Sequence, residues 1–256
     1  MGKAVMSGQF ETLFDCFVIS LKRTPERLQS FLSQNAKCEI EIQHFEAIDG
    51  TQVNAADIEG HIVAKGATGY KPGVVGNAMS HLALWRRCAD QEKYFIVFED
   101  DAVARIDIKS RLLGTIGQLE EWDIVSLGYN TDAVLEVSVA PGIYFGGAFS
   151  VKHLTEKQLS DFSKSTNAVA LHRLNLVMGT CCYAISPKGA QMLMQACFPM
   201  DNRPVHYAST GHRFRAYTLD SVMATIYPTI SAYVSIAPLI MTANDRYTST
   251  AAHATL

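Results

Sequence analysis

The chain has 256 residues, 48% of them hydrophobic and 18% charged, a globular composition that excludes low-complexity and disordered classes and suits one α/β domain. A net charge of −3 supplies no broad field for a polyanion, so nucleic acid is not an expected partner. No run approaches the roughly 18 apolar residues of a membrane span, and the opening MGKAVMSGQF lacks the apolar core of a signal peptide.

FDCFVISL (14–21) is an almost unbroken apolar run and predicts a strand buried on both faces. KRTPERLQSFL follows, with Thr24 as an N-cap, Pro25 as first helical residue, and Leu28, Phe31 and Leu32 at helical spacing. EIEIQHFEA (39–47) alternates and predicts a second strand. Strand, helix and strand in this order favour a parallel sheet. ATGYKPGVVGNAMSH (67–81) reads as a glycine loop opening a helix that carries Ala78, Leu82, Trp85 and Ala89. YFIVF is a third strand, RLLGTIGQLEE (111–121) a helix weakened by two glycines, and DIVSLG (123–128) a fourth strand. Residues 130–180 read as hairpin or loop with a short helix at TEKQLSDF. CCYAIS (181–186) is a strand, PKGAQMLMQACF a helix with Pro187 at its start, TLDSVMATIY (218–227) a helix, and SAYVSIAPLI (231–240) one or two short strands. The six cysteines, at 16, 38, 88, 181, 182 and 197, form no CxxC pair. A zinc site is therefore not expected; Cys16, Cys181 and Cys182 sit inside apolar runs and read as small buried residues, and a reducing compartment fits.

The strand at 94–98 runs into Glu99, Asp100 and Asp101. Ligands of open α/β sheets bind beyond the carboxyl ends of strands. Three adjacent carboxylates there must take up protons, stay solvated or share a cation. Oxygen-rich clusters suit Mg²⁺ or Mn²⁺, which keep waters and bind phosphates. The plain alternative is a solvated loop start. The spacing Glu99-x-Asp101 puts both side chains on one side of an extended backbone, so both can converge on one ion.

FVISLKRTPERLQSF (17–31), GVVGNAMSHLALW (73–85), IVFEDDA (96–102) and GTCCYAISPKGAQML (179–193), with Asp220 heading a late helix, together resemble glycosyltransferase family 25. That family holds bacterial lipooligosaccharide galactosyltransferases and the galactosyltransferase domain of collagen-modifying enzymes. The resemblance, from about 14 to 245, implies a GT-A-like α/β/α sandwich with a mostly parallel central sheet. It implies one domain over 1–256, with a nucleotide-sugar half at 14–128, an acceptor half at 129–245 and a tail at 246–256. It further implies metal-dependent, inverting transfer from a nucleotide sugar, commonly UDP-galactose, to a glycan or glycolipid acceptor of the lipooligosaccharide type. The chain departs from the family at Asn77, where a cysteine is usual, at Thr218-Leu219 before Asp220, and in ending STAAHATL without a basic tail. A cytoplasmic location is expected, with peripheral contact at the inner face of a membrane left open.

Under this resemblance Glu99 and Asp101 hold the metal, Asp101 most directly, and Asp100 contacts the donor. Ser20, Arg23 and Arg27 follow the first strand and would hold the nucleotide and its phosphates. Asn77, Ser80 and His81 would bind the donor or support the acids. Gly179 and Thr180 allow close approach of substrate, or form a simple turn. Trp85 and Tyr183 read as core, the tyrosine hydroxyl partnered. Asp220 is the candidate general base that takes the acceptor proton, or else a helix N-cap. Asp132, His206 and His212 are its rivals. Residues 130–180 and 201–217 form the expected acceptor walls, the latter with Arg203, Arg213 and Arg215. Two other functions compete: a metal-dependent phosphohydrolase and a non-catalytic sugar-binding relative.

Overall fold

A computed structural model describes residues 10–244. The opening nine residues and residues 245–256, including the expected tail, lie outside it. The elements that position the site are strands β1 (Phe14–Ser20), β2 (Ile42–Glu46), β3 (Tyr94–Glu99), β4 (Ala102–Ala104) and β5 (Ile124–Gly128), with helices α1 (Pro25–Asn35), α2 (Pro72–Gln91) and α3 (Ile108–Ile116) between them. The second half adds β6 (Val134–Ala140), β7 (Ile143–Ala148), α4 (Glu156–Ser163), β8 (Ala170–Leu176), β9 (Cys182–Ile185) and α5 (Pro187–Cys197). Then come β10 (Pro204–His206), β11 (Arg213–Arg215), α6 (Leu219–Ala224), β12 (Ala232–Ile236) and β13 (Ile240–Thr242).

One sheet runs through both halves in the order β2-β1-β3-β9-β5-β12-β8-β6-β7, with β13 and β4 joined beside β5. β1 pairs parallel with β2 and β3, and β5 parallel with β12. β9 runs antiparallel between β3 and β5. β8 opposes β12 and β6, and β7 opposes β6. Along this path β1, β2, β3, β5, β6 and β12 therefore share one direction.

The unbroken apolar runs follow from cover on both faces. Phe17, Ile19, Phe95 and Val97 pack on one face with Leu82, Trp85, Ala190 and Leu193 of α2 and α5. Cys16, Val18, Ile96 and Phe98 pack on the other face with Phe31 of α1 and Ile108 and Leu112 of α3. Alternate side chains point to opposite faces, so a strand covered twice is apolar at every position. The result is the expected helix–sheet–helix layering.

Several boundaries differ from expectation. α3 begins at Ile108 and ends before Gly117. β8 was not legible as a strand, because the adjacent polar residues His172 and Arg173 break the alternation of ALHRLNL, whose outer half is exposed or half-buried. Thr24 precedes α1 without capping it, since its hydroxyl donates to the Leu21 carbonyl. The glycine segment is not all loop: the helix starts at Pro72, so Gly73, Gly76, Asn77, Ser80 and His81 all lie within α2. No described helix is long and apolar enough to cross a membrane. All six cysteines are free and buried.

Candidate active site

β1 and β3 are parallel neighbours with Ile19 beside Glu99, so their carboxyl ends, at Ser20 and Glu99, meet at one edge of the sheet. A cleft opens there, lined by Ser20, Arg23, Arg27, Asn77, Ser80, Asp49 and the three acids. The acids do not continue an extended strand. β3 stops at Glu99 and β4 starts at Ala102, so Asp100 and Asp101 form the turn between them. Their convergence comes from this turn rather than from strand alternation.

Each acid has a different environment. Glu99 Oε1 accepts from Thr180 Oγ1 at 2.6 Å and from Asn77 Nδ2 at 3.1 Å. Burial alone would raise its pKa. His81, Thr180 and Asn77 outweigh burial and hold it below the ordinary carboxylate value. Asp100 Oδ2 accepts from Ser20 Oγ at 2.7 Å, and its Oδ1 is ion-paired with the Arg27 guanidinium. Asp101 is pushed up to about 6, first by burial and then by the charge of Glu99, with Arg27 and Thr242 acting in the opposite direction. Its Oδ1 is enclosed and has no hydrogen-bond partner.

His81 lies behind Glu99 and is fully buried. Its Nδ1 is 2.7 Å from the Tyr183 hydroxyl, which also accepts from Trp85 Nε1 at 2.8 Å. The indole can only donate. The tyrosine proton is therefore free to go to Nδ1, which leaves the imidazole proton on Nε2. That atom faces Glu99 Oε1 at 3.5 Å, too long for a good hydrogen bond, so its effect on Glu99 is mainly electrostatic. Of the two expected roles, donor contact or support of the acids, the enclosure of His81 away from the cleft lining fits support of Glu99. Trp85 and Tyr183 are core, with the hydroxyl partnered.

Of the other expected residues, Ser80 reaches the cleft wall, although its hydroxyl is committed to the Gly76 carbonyl and accepts from Ile48 N. Arg23 is held at the rim by Asp49, 2.7 Å from Nε. The sequence reading missed Asp49, which offered no signal beyond an Asp-Gly turn. Thr180 touches Glu99, but Gly179 does not line the cleft. Gly179 adopts φ +93° against Asn130, where an added Cβ would collide with the Asn130 side chain. Its N–H donates to Asp220 Oδ2 at 2.8 Å, and Ser221 N donates to Oδ1 at 2.8 Å. Asp220 is not the N-cap of its helix, because α6 begins at Leu219 after Thr218. Of its rivals, His206 is exposed on β10, while Asp132 and His212 line a separate groove.

Among the described residues no three His, Cys, Asp or Glu side chains form a ready metal-ligand cluster. The donor set still fits Mg²⁺ or Mn²⁺. The enclosed, unpartnered Asp101 oxygen beside a second carboxylate is what such an ion would neutralise, and these ions complete their shells with water and phosphate. Glu99 Oε1 is already engaged by two donors, so Asp101 has the greater acceptor capacity left.

The family model described as "Glycosyltransferase family 25 (LPS biosynthesis protein)" matches residues 14–207. The chain belongs to glycosyltransferase family 25. Procollagen galactosyltransferase 2 of Mus musculus is 25% identical over 196 residues, which cover 71% of this chain and 27% of that protein. A Mus musculus protein named inactive glycosyltransferase 25 family member 3 is 29% identical over 150 residues, 52% of this chain and 25% of the relative. A glycosyltransferase 25 family member of Drosophila pseudoobscura pseudoobscura is 27% identical over 130 residues, covering 46% and 21%. The chain thus spans about a quarter of the length of these relatives. The acidic cleft lies inside the family segment, and Asp220 lies beyond it.

Proposed function

We propose that this family 25 chain is a metal-dependent, inverting hexosyltransferase of GT-A type, moving galactose from UDP-galactose to a glycan or glycolipid acceptor. The observation that carries the reading is the enclosed, unpartnered Oδ1 of Asp101 beside Glu99 at the carboxyl ends of parallel strands. The cleft holds about 130 Å³, below the roughly 300–1,000 Å³ of a pocket for a whole drug-sized ligand. It suits the diphosphate part of a donor whose nucleoside and sugar extend over the rim. Asp101, with Glu99 close by, would hold Mn²⁺ or Mg²⁺, which supplies positive charge against the charge developing on the departing diphosphate.

The chain's own groups do the rest. Ser20 and Arg27 fix Asp100 at the cleft wall. Arg23 presents a cation at the rim. Thr180, Asn77 and His81 keep Glu99 ionised. In an inverting transfer the acceptor oxygen forms its bond to the anomeric carbon as the bond to the diphosphate breaks on the opposite face. Asp220 takes the acceptor's hydroxyl proton. A cytoplasmic site of action, with peripheral membrane contact through the acceptor, belongs to the same proposal.

A second reading, a sugar- or nucleotide-binding relative without turnover, draws on the word inactive in the mouse relative's name. Incubation with Mn²⁺ and a panel of nucleotide sugars, followed by release of free nucleoside diphosphate, separates the readings. Turnover of UDP-galactose that falls at least 100-fold in Asp101→Ala supports the transferase. Binding without turnover supports the second reading, and absence of donor binding by calorimetry overturns the first. Release of inorganic phosphate would point instead to a phosphohydrolase.

A further inference from the structure

A second concavity of about 560 Å³ lies next to the acidic cleft along the chain. Met178 lines it, while Thr180, two residues on, bonds Glu99 of the cleft. Thr218 and Ser221, on either side of Asp220, also line it. Asp220 therefore sits at the junction, its carboxylate tied to Gly179 N between Met178 and Thr180.

The groove is aromatic. Phe149, Tyr207, His212, Phe214 and Tyr217 line it. Tyr207, His212 and Phe214 form one ring cluster, with centroids 5.6 to 6.4 Å apart. Tyr217 is 48% exposed. Gly69, at φ +84°, leaves room for its ring, since an added Cβ would stand 3.1 Å from it. Asp132, Lys152, Thr210 and Arg215 add polar groups among the rings.

The wall is held in place by a buried carboxylate. Glu136 on β6 is fully enclosed and accepts from Asn175 Nδ2 at 2.9 Å, Ala208 N at 3.1 Å, Ser209 N at 2.8 Å and the Ser209 hydroxyl. These bonds fasten the β10–β11 hairpin, which carries three of the rings, to the main sheet.

The chemistry of the lining selects the occupant. An aliphatic chain would strip water from Lys152 and Thr210 without replacing their hydrogen bonds. A polyanion would find no uniformly positive wall, because the cations Lys152 and Arg215 share the lining with the Asp132 carboxylate. A pyranose matches both demands, with C–H faces for the electron-rich ring faces and hydroxyls for the polar groups. We propose that this groove is a saccharide subsite in which a pyranose stacks on the Tyr207–His212–Phe214 cluster and Tyr217 and turns a hydroxyl toward Asp220. Its role as the acceptor side rests on the transferase reading; its capacity to hold a saccharide does not.

The test applies the full chain to a printed oligosaccharide array and titrates the most retained oligosaccharide by calorimetry, with and without UDP and Mn²⁺. Tyr217→Ala and Lys152→Ala are run in parallel, each checked for an unchanged melting temperature. The expected result is retention by the wild type, at least tenfold weaker binding in both variants, and no displacement by UDP. No retained saccharide, retention unaltered in both folded variants, or displacement by UDP overturns the proposal. Retention lost in the variants without any UDP binding keeps the saccharide subsite and removes the transferase reading. UDP binding with a silent groove does the reverse.

Discussion

Glu99, Asp100 and Asp101 are adjacent in sequence and do three different things. Glu99 is held ionised by donors, Asp100 is pinned by Ser20 and Arg27, and Asp101 is left with an unanswered oxygen. The folded-state value of Asp101, about 6, lies above its ordinary 3.8. Between those values the folded chain binds this proton and the unfolded chain has released it, so the contribution to stability falls as pH rises. In the presence of a chelator, urea unfolding across that window is expected to show this loss in the wild type and not in Asp101→Asn. Behind the acids, Tyr183→Phe would remove the acceptor for a buried indole N–H and the partner of His81 Nδ1. A loss of about 1–3 kcal/mol in unfolding free energy is expected, with the melting curve as the readout. An acidic triplet after an apolar strand was legible as a site. The division of labour was not, because the deciding partners stand 73 to 81 positions away in Arg27, Ser20 and Thr180.

At the scale of elements, α2 shows how a sequence signal can be real and its meaning different. Glycines 69, 73 and 76 read as a loop before the helix, yet Gly76 is helical and buried. An added Cβ there would overlap the Ile48 carbonyl and lie 2.5 Å from Gly50 N. The glycine permits close backbone approach rather than motion, and that approach sets Asn77 and Ser80 against the cleft. Gly76→Ala is expected to destabilise by about 1–3 kcal/mol through overpacking, measured by urea titration. The neighbour it clashes with is backbone and has no side chain that can swing away. The strand β9 teaches a related lesson. CCYAIS is apolar throughout and was legible as buried, but its antiparallel entry between β3 and β5 is a matter of chain path that composition does not record.

For the whole molecule, the important relation is between the acidic cleft and the groove across residues 178–180. Asp220 joins them through Gly179, and its predicted role depends on that position. Asp220→Asn is expected to lower sugar transfer by about 10²–10⁴-fold while UDP binding in the presence of Mn²⁺ stays within twofold. A collapse of UDP binding instead would make Asp220 a support of the 178–180 segment and not a base.

The sequence by itself determined the layered α/β fold, the doubly covered strands and the place of the acids, because hydrophobic periodicity and burial are local properties of the chain. It also carried the family, through four ordered segments. Only the tertiary structure decided which carboxylate keeps an unpartnered oxygen, that His81 stands behind Glu99, and that Glu136 fastens an aromatic hairpin beside Asp220. Each of these depends on groups distant in sequence meeting in a buried place, where one missing or added hydrogen bond changes the state of a charge.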